Sequence, residues 1–190
     1  MADAEIDGDS YFLSAYATTT RDRWELFGLL GYTWGSYESQ RHIRFGSIDR
    51  AAKGEFDGDG FIASLKAAYD YPVEGFDLIP EMGLTYSKIW QDGFTERGAN
   101  SLDLKVDDAD AHSLVTSLGV RLGTEVKSGN TRIRPQLLVR YEYDWNASDD
   151  DAHDIVSTFA GVPIIGPIDI IGQNRGEHGV TLAGGVTAQV

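Results

Sequence analysis

The chain has 190 residues, 42% hydrophobic and 24% charged, with a formal net charge of −14 and no cysteine. No apolar run approaches the roughly 20 residues that a membrane helix requires; the acidic balance argues against a nucleic-acid partner; and the lack of thiols removes disulfides, thiolate metal sites and cysteine nucleophiles. A membrane barrel stays open, because it needs apolar side chains only at alternate positions and its average hydropathy looks soluble.

The N-terminus, Met1 to Asp9, is acidic and polar and lacks the basic region and apolar stretch of a signal peptide. A chain bound for the outer membrane needs such a signal, so the sequence is expected to be part of a longer protein. Beyond it no segment holds a helical period. The dominant signal is alternation, which marks strands with two chemically different faces. After a less regular stretch, Tyr11 to Thr18, an apolar face of Trp24, Leu26, Leu30, Tyr32 and Trp34 has a mixed reverse of Glu25, Phe27, Leu29 and Thr33. Asp57-Gly-Asp-Gly60 reads as a turn. Phe61, Ala63, Leu65, Ala67, Tyr69 and Tyr71 then oppose Ser64, Lys66 and Asp70, and a turn follows at Pro72-Val-Glu-Gly75. Leu78, Pro80, Met82, Leu84, Tyr86 and Trp90 oppose Asp77, Glu81, Thr85 and Ser87. Leu114, Leu118, Val120, Leu122 and Val126 oppose Ser113, Ser117, Arg121 and Glu125, before a turn at Lys127–Asn130.

The clearest alternation runs from Thr131 to Trp145. Thr131, Ile133, Pro135, Leu137, Val139, Tyr141, Tyr143 and Trp145 share one face, and Arg132, Arg134, Gln136, Arg140, Glu142 and Asp144 the other, with Leu138 the one exception. A turn at Ser148–Asp151, an irregular stretch from Ile155 to Ile171 and a last alternating segment, Val180 to Val190, complete the chain. The pattern predicts an all-β single domain over residues 1–190, with about eight long strands in an antiparallel up-and-down meander. Several exceed the 5 to 6 residues common in globular strands and reach the 9 to 11 of a tilted membrane crossing.

Alternation does not say which way the apolar face points. A soluble barrel turns it inward around an apolar small molecule; a membrane barrel turns it outward to lipid. Aromatics near the ends of the apolar faces favour the second, as candidate residues of the bilayer interface: Trp24, Trp34, Tyr69, Tyr71, Tyr86, Trp90, Tyr141, Tyr143 and Trp145. The polar faces carry both signs of charge, and Glu81, Arg121, Glu125, Arg132, Arg134, Arg140, Glu142 and Asp144 are the candidate lumen-facing set. Lys88 interrupts an apolar face, close enough to Trp90 to snorkel. The histidines His42, His112, His153 and His178 lack metal-ligand spacing and read as solvated loop or lumen residues. Asp57-Gly-Asp-Gly60, and Asp149 to Asp151 with Asp154, lack the remaining ligands of a calcium loop. No nucleophile elbow appears, so no catalytic, cofactor or metal residue is assigned.

Several blocks resemble the autotransporter β-domain, the translocator of type V secretion. Gly93-Phe-Thr-Glu-Arg-Gly-Ala-Asn-Ser-Leu-Asp-Leu-Lys-Val106 resembles its GFTE.GA..L.L.V block, followed here by Leu118-Gly-Val-Arg-Leu122. Ala52-Lys-Gly-Glu-Phe-Asp-Gly58 after Arg41, Leu78-Ile-Pro-Glu-Met-Gly-Leu-Thr-Tyr86 and Arg134-Pro-Gln-Leu-Leu-Val-Arg-Tyr141 are similar to further family strands. Phe159 onward, through Gly176 and Gly179 to Gly185, resembles a later hairpin. The resemblance implies a transmembrane barrel of twelve strands, of which about eight are present, in the bacterial outer membrane. It implies as partners outer-membrane lipid, the barrel-assembly machinery and an N-terminal passenger exported to the cell surface. The family's pore helix and aromatic C-terminal residue have no counterpart here, so the chain is expected to lack the first strands, the last pair and the helix. A plain porin or adhesin barrel is the neighbouring alternative.

Overall fold

The computed structural model describes residues 2–129, 131–147, 155–161, 166–170 and 176–189. Successive side chains in a strand point to opposite faces, so a sequence with two chemistries at period two builds a two-faced sheet. In chain order the strands are β1 (Ala2–Arg21), β2 (Trp24–Phe45), β3 (Ile48–Tyr69), β4 (Tyr71–Val73), β5 (Phe76–Gln91), β6 (Phe94–Thr95), β7 (Leu104–Val106), β8 (Ala109–Gly123), β9 (Val126–Ser128), β10 (Thr131–Asp144), β11 (Ile155–Phe159), β12 (Ile168–Ile170) and β13 (His178–Gln189). The long strands pair antiparallel in the order β1-β2-β3-β5-β8-β10-β13, with β4 and β9 attached to β5 and β10. A second sheet has the order β12-β11-β7-β6. Among the described residues β1 and β13 do not pair with each other, so the main sheet is a half-barrel.

The two ends of the wall differ. At one end the connections are tight: Asp22-Arg23 between β1 and β2, Glu74-Gly75 between β4 and β5, and residues 124–130 around β9. At the other end the connections are longer: residues 92–108, with β6 and β7, lie between β5 and β8, and β11 and β12 lie between β10 and β13. The β2–β3 hairpin also extends there, because β3 stops pairing with β5 at Gly58↔Gln91 while β2 and β3 stay paired up to Phe45↔Ile48. The segment 92–108, with β6, β7 and a single 3-10 turn at Asn100–Leu102, packs against this extension. Ile43, Ala52 and Ala99 form a buried cluster there with Leu102 beside them.

Two expectations change. Among the described residues the meander holds seven long strands, because Ile155–Phe159 and Ile168–Ile170 supply β11 and β12 to the second sheet instead of an eighth rung. Asp57-Gly-Asp-Gly60 is no turn but lies in the interior of β3. Its aspartates take one face, and its glycines make room on the other: a Cβ at Gly60 would lie 2.7 Å from Thr33 Cγ2. Glycine here answers a close approach across the sheet rather than a change of chain direction. The turn expected at Ser148–Asp151, the acidic group Asp149 to Asp154, His153 and Val190 lie outside the described residues.

Gly54 shows the same economy at the extended hairpin. A Cβ there would lie 2.5 Å from Phe94 Cε2, and Phe94 stacks on Phe56 with ring centroids 4.9 Å apart. Gly54→Leu is therefore expected to lift Phe94 off the hairpin, at an overpacking cost of about 1–3 kcal/mol. Hydrogen exchange should accelerate in residues 93–106 and stay unchanged in β5, β8 and β10.

Candidate functional site

Register places the charged residues in rows. Glu25, Ala68, Glu81, Gly119 and Arg140 occupy one rung running from β2 to β10. Because Gly119 has no side chain, Glu81 and Arg140 meet above it: Arg140 Nη2 and Nε donate to Glu81 Oε1 at 2.6 and 3.0 Å. Arg121, one pleat along, donates to Glu25 Oε2 at 3.0 Å and lies 4.0 Å from Glu81 Oε2. Lys66 on the neighbouring rung sits 5.9 Å from the centroid of the Phe27 ring. Further along the same face, Ser64 and Thr85 hydroxyls share a 2.9 Å hydrogen bond, and Ser113 donates to Asp144 at 2.8 Å. The polar face is thus knitted across strands by side chains.

Exposure inverts the pattern of a soluble protein. Glu81 and Arg140 side chains are only 17% and 21% exposed, while Leu65 on the apolar face is 67% and Leu182 is 72% exposed. Aromatics gather at both ends of the apolar face. Toward the tight turns, Trp24 meets Tyr69 edge-on at 5.0 Å, and Tyr71 and Phe76 lie beside the next turn. Toward the long excursions, Tyr11, Trp34, Tyr32 and Trp90 form a chain of rings about 6 Å apart. Tyr143 and Trp145 pack edge-on at 4.9 Å. Tyr86 and Tyr141 lie on the same face, between these groups. Beyond the ring chain the apolar face turns acidic, with Tyr32 donating to Asp59 at 2.8 Å.

A third group holds the 92–108 segment. Glu96 is 4% exposed; it accepts two bonds from Arg41, at 3.1 and 2.5 Å, and one from Leu104 N–H at 2.9 Å. Arg41 also donates to the Leu102 carbonyl at 2.9 Å, and Arg50 to the Ala99 carbonyl at 2.8 Å. Removing one partner of such a buried pair is generally destabilising by about 3–5 kcal/mol, because it strands the other charge.

Of the polar residues singled out by sequence, Glu81, Arg121 and Arg140 converge, and Arg134 pairs with Glu125 at 3.0 Å near the tight turns. Arg132 is exposed beside that pair's strand end, Glu142 is half-buried on the rung next to Glu81 and Arg140, and Asp144 bonds Ser113. Lys88 does not reach past Trp90 alone but pairs with Asp110 at 2.8 Å. The histidines also differ from expectation: His112 and His178 lie in strands on the apolar side, His178 bonding Tyr141 at 2.6 Å. His42 lies within β2 and contacts Gln40 at 2.7 Å. Sequence reasoning did not pick out Glu25, whose position opposite Trp24 and Leu26 was the available signal, nor the Arg41–Glu96 pair. Among the described residues no three His, Asp or Glu side chains are grouped to hold a metal ion.

The family model described as the autotransporter beta-domain matches residues 1–190. The translocator domain of the autotransporter NalP from Neisseria meningitidis superposes with a TM-score of 0.52 at 22% identity, covering 98% of this chain and 56% of that one. An uncharacterized protein in the trpE-trpG intergenic region of Pseudomonas putida is 26% identical over 164 residues, covering 85% of this chain and 27% of that protein. The esterase EstA of Pseudomonas aeruginosa is 24% identical over 165 residues, 85% of this chain and 25% of its own length. The chain therefore spans about a quarter of the length of these two curated relatives.

The row of charges makes one sharp expectation. Glu81→Ala leaves Arg140 partly buried without its carboxylate and should cost about 1–3 kcal/mol, whereas Glu81→Gln should cost less. Urea unfolding in lipid vesicles, followed by loss of heat-modifiable electrophoretic mobility, measures both.

Proposed function

Because the chain belongs to the autotransporter β-domain family of outer-membrane translocator barrels, we propose that in the complete protein it forms part of the wall through which an N-terminal passenger is exported to the cell surface. One observation carries the reading: from β2 to β13 most of the exposed large apolar side chains, Leu26, Leu30, Leu65, Met82, Leu118, Val139 and Leu182 among them, share one face of the half-barrel, and the Glu81–Arg140 and Arg121–Glu25 pairs lie on the other. In lipid an apolar exterior is the stable one, and the strand ladder satisfies the backbone groups that no water reaches. The polar face then bounds a wetted conduit. Its charges are paired with one another, so an unfolded chain in transit meets hydration and short polar side chains rather than a fixed field of one sign.

The uneven ends orient the wall. Outer-membrane barrels have short periplasmic turns and longer extracellular loops, which assigns Asp22-Arg23 and its neighbours to the periplasm and residues 92–108 and 145–177 to the cell surface. In the first strands the apolar band runs from the Trp24–Tyr69 pair to the Tyr11–Trp34 pair. Ten residues at about 3.3 Å each, tilted by roughly 40°, make a height of about 25 Å, that of a barrel's apolar band. On this reading Trp24, Tyr69 and Tyr71 mark the periplasmic interface, and Trp34, Trp90 and Trp145 the outer one, with Tyr86, Tyr141 and Tyr143 near it. The lumen wall comprises Glu81, Arg121, Arg140, Glu142 and Asp144, with Glu125, Arg132 and Arg134 at its periplasmic rim. Partners are outer-membrane lipid, the barrel-assembly machinery and the passenger. Catalysis is not assigned to this chain; the esterase activity in the name of EstA belongs to a protein of which the match covers a quarter.

Two measurements test the proposal. With the full-length protein in vesicles, single-tryptophan variants keeping Trp34, Trp90 or Trp145 should be quenched more by lipid brominated near the headgroup than near the chain end. A soluble barrel with an internal ligand would show no quenching by either. Leu65→Arg, at mid-height of the apolar face, should cost about 2–4 kcal/mol and reduce assembly and passenger display. Ser14→Arg, on the polar face, should leave both near wild type.

A further inference from the structure

The chain carries 30 acidic and 16 basic residues, yet at the tight-turn end of β10 the ladder sets cation against cation. Below the last rung that β5 shares with β8, Asp77↔Gly123, the hairpin continues through β9, with Val126 opposite Ile133 and Lys127 opposite Arg132. The register is unbroken from Gln136↔Gly123 to Ile133↔Val126, so alternation places Lys127, Arg132 and Arg134 on the same lumen side as Arg121 and Arg140, with Glu125 among them. Like charges directly opposite on paired strands are destabilising. One carboxylate serves the group: Arg134 Nη2 lies 3.0 Å and Lys127 Nζ 3.8 Å from Glu125. Arg132 is exposed and has no ion pair among the described residues. On the far side β13 brings the neutral residues Thr187 and Gln189 to these rungs. Deeper in the lumen, by contrast, Arg121 and Arg140 have their own carboxylates in Glu25 and Glu81. The rim therefore presents cationic donors without the acceptors that neutralise the wall above it.

We propose that this rim captures carboxylate-bearing stretches of the exported polypeptide as it enters the conduit; the inference rests on the translocator reading and the orientation given above. The cations face the lumen, so lipid headgroups lie on the other side of the wall, and an extended polypeptide is what threads the lumen from that end. Spacing suits such a partner. Arg132 and Arg134 are two residues apart on one strand, about 6.6 Å, which is also the spacing of alternate side chains along an extended chain. Two carboxylates on one side of that chain meet two guanidinium groups, the strongest pairing available to exposed side chains. The side chains of Lys127 and Arg134 are 68% and 60% exposed, and at that exposure attraction is screened beyond about 8 Å at physiological salt. Charge at such a rim raises the rate of encounter more than the lifetime of the complex. A segment is gathered at the entrance and passes on to a wall whose charges are already paired.

The test uses the full-length protein in lipid nanodiscs and two fluorescent peptides of equal length, one of Glu-Ser repeats and one of Lys-Ser repeats. Fluorescence anisotropy should show the Glu-Ser peptide bound about tenfold more weakly by Lys127→Gln with Arg132→Gln than by wild type, and more weakly by wild type as salt rises. Binding of the Lys-Ser peptide should not fall in that variant, and Lys127→Glu with Arg132→Glu should reverse the preference. Lys53→Gln with Arg97→Gln removes two exposed cations at the opposite end of the wall and should leave Glu-Ser binding unchanged. Heat-modifiable mobility, the same in every variant, reports an intact barrel. In cells, Lys127→Gln with Arg132→Gln should slow surface display of the passenger about threefold. Equal Glu-Ser affinity in wild type and rim variants, an equal loss in the Lys53 and Arg97 variant, or undiminished display without peptide binding overturns the capture and leaves the translocator reading standing. Absence of passenger display by wild type overturns the translocator reading and the capture with it.

Discussion

Lipid offers no water to a peptide group, and that single absence governs the architecture. Each N–H and C=O at membrane depth has to be paired inside the protein, which for strands means an unbroken ladder from one neighbour to the next. The meander β1-β2-β3-β5-β8-β10-β13 supplies it, with two-residue turns at Asp22-Arg23, Gly46-Ser47 and Glu74-Gly75. Once the ladder is fixed, period-two alternation leaves each residue one of two destinations, lipid or lumen. The outer edges of β1 and β13 are held to the same rule: at membrane depth they require partner strands beyond this half-barrel. That agrees with a chain covering 56% of the translocator on which it superposes.

Curvature and charge support one another on the inner face. Arg121 on β8 reaches Glu25 on β2, with β5 and β3 between them. Adjacent strands are about 4.8 Å apart, so on a flat sheet the two backbones would stand roughly 14 Å from each other. Side chains on the inside of a curved wall converge, and the same residues on the outside would splay apart. The Arg121–Glu25 and Arg140–Glu81 pairs therefore suit a concave polar face, and each lets a half-buried charge meet its opposite rather than a low-dielectric wall. Bare positions such as Gly119 are part of that arrangement, because a side chain there would stand between the partners.

What could be read from sequence was what the period encodes. The faces of β5, β8 and β10 emerge from alternation alone, including the single-sided placement of Glu81, Arg121 and Arg140. Misreadings occurred where one residue type serves two physical purposes. Glycine permits both a turn and a close approach, so Asp57-Gly-Asp-Gly60 looked like a loop although it lies mid-strand. The second sheet was invisible for another reason: strands of two to five residues carry too few alternations to show a period. Glu25 was hidden by the mixed reverse of its strand, where Phe27 and Leu29 share the inner face with it. The Arg41–Glu96 pair spans 55 residues, and only the folded hairpin brings its halves together.

The chain's acidity, at odds with a lipid-facing surface, finds its place in the same geometry. Moving up the outer face of β1, β2 and β3 from the Tyr11–Trp34 ring pair, the next rung carries Asp9 and Asp57, and the following one Asp7, Glu38 and Glu55. Like charges directly opposite on neighbouring strands repel, and such a rung is tolerable only in water, where screening acts within about a nanometre. The aromatic rows coincide with a change in the face itself: below them the outer face is nearly free of charge, above them the same face is dominated by carboxylates, as the proposed lipid boundary there requires. The belt also slants. Trp145 follows Asp144, bonds to Leu114, and so stands level with Leu30, four residues nearer the tight turns than Trp34. An oblique belt across horizontal rungs is what strands tilted by some 35–45° produce when the lipid boundary itself is level. On the translocator reading proposed above, tilt, belt and acidic collar follow together from setting one alternating sheet across two solvents.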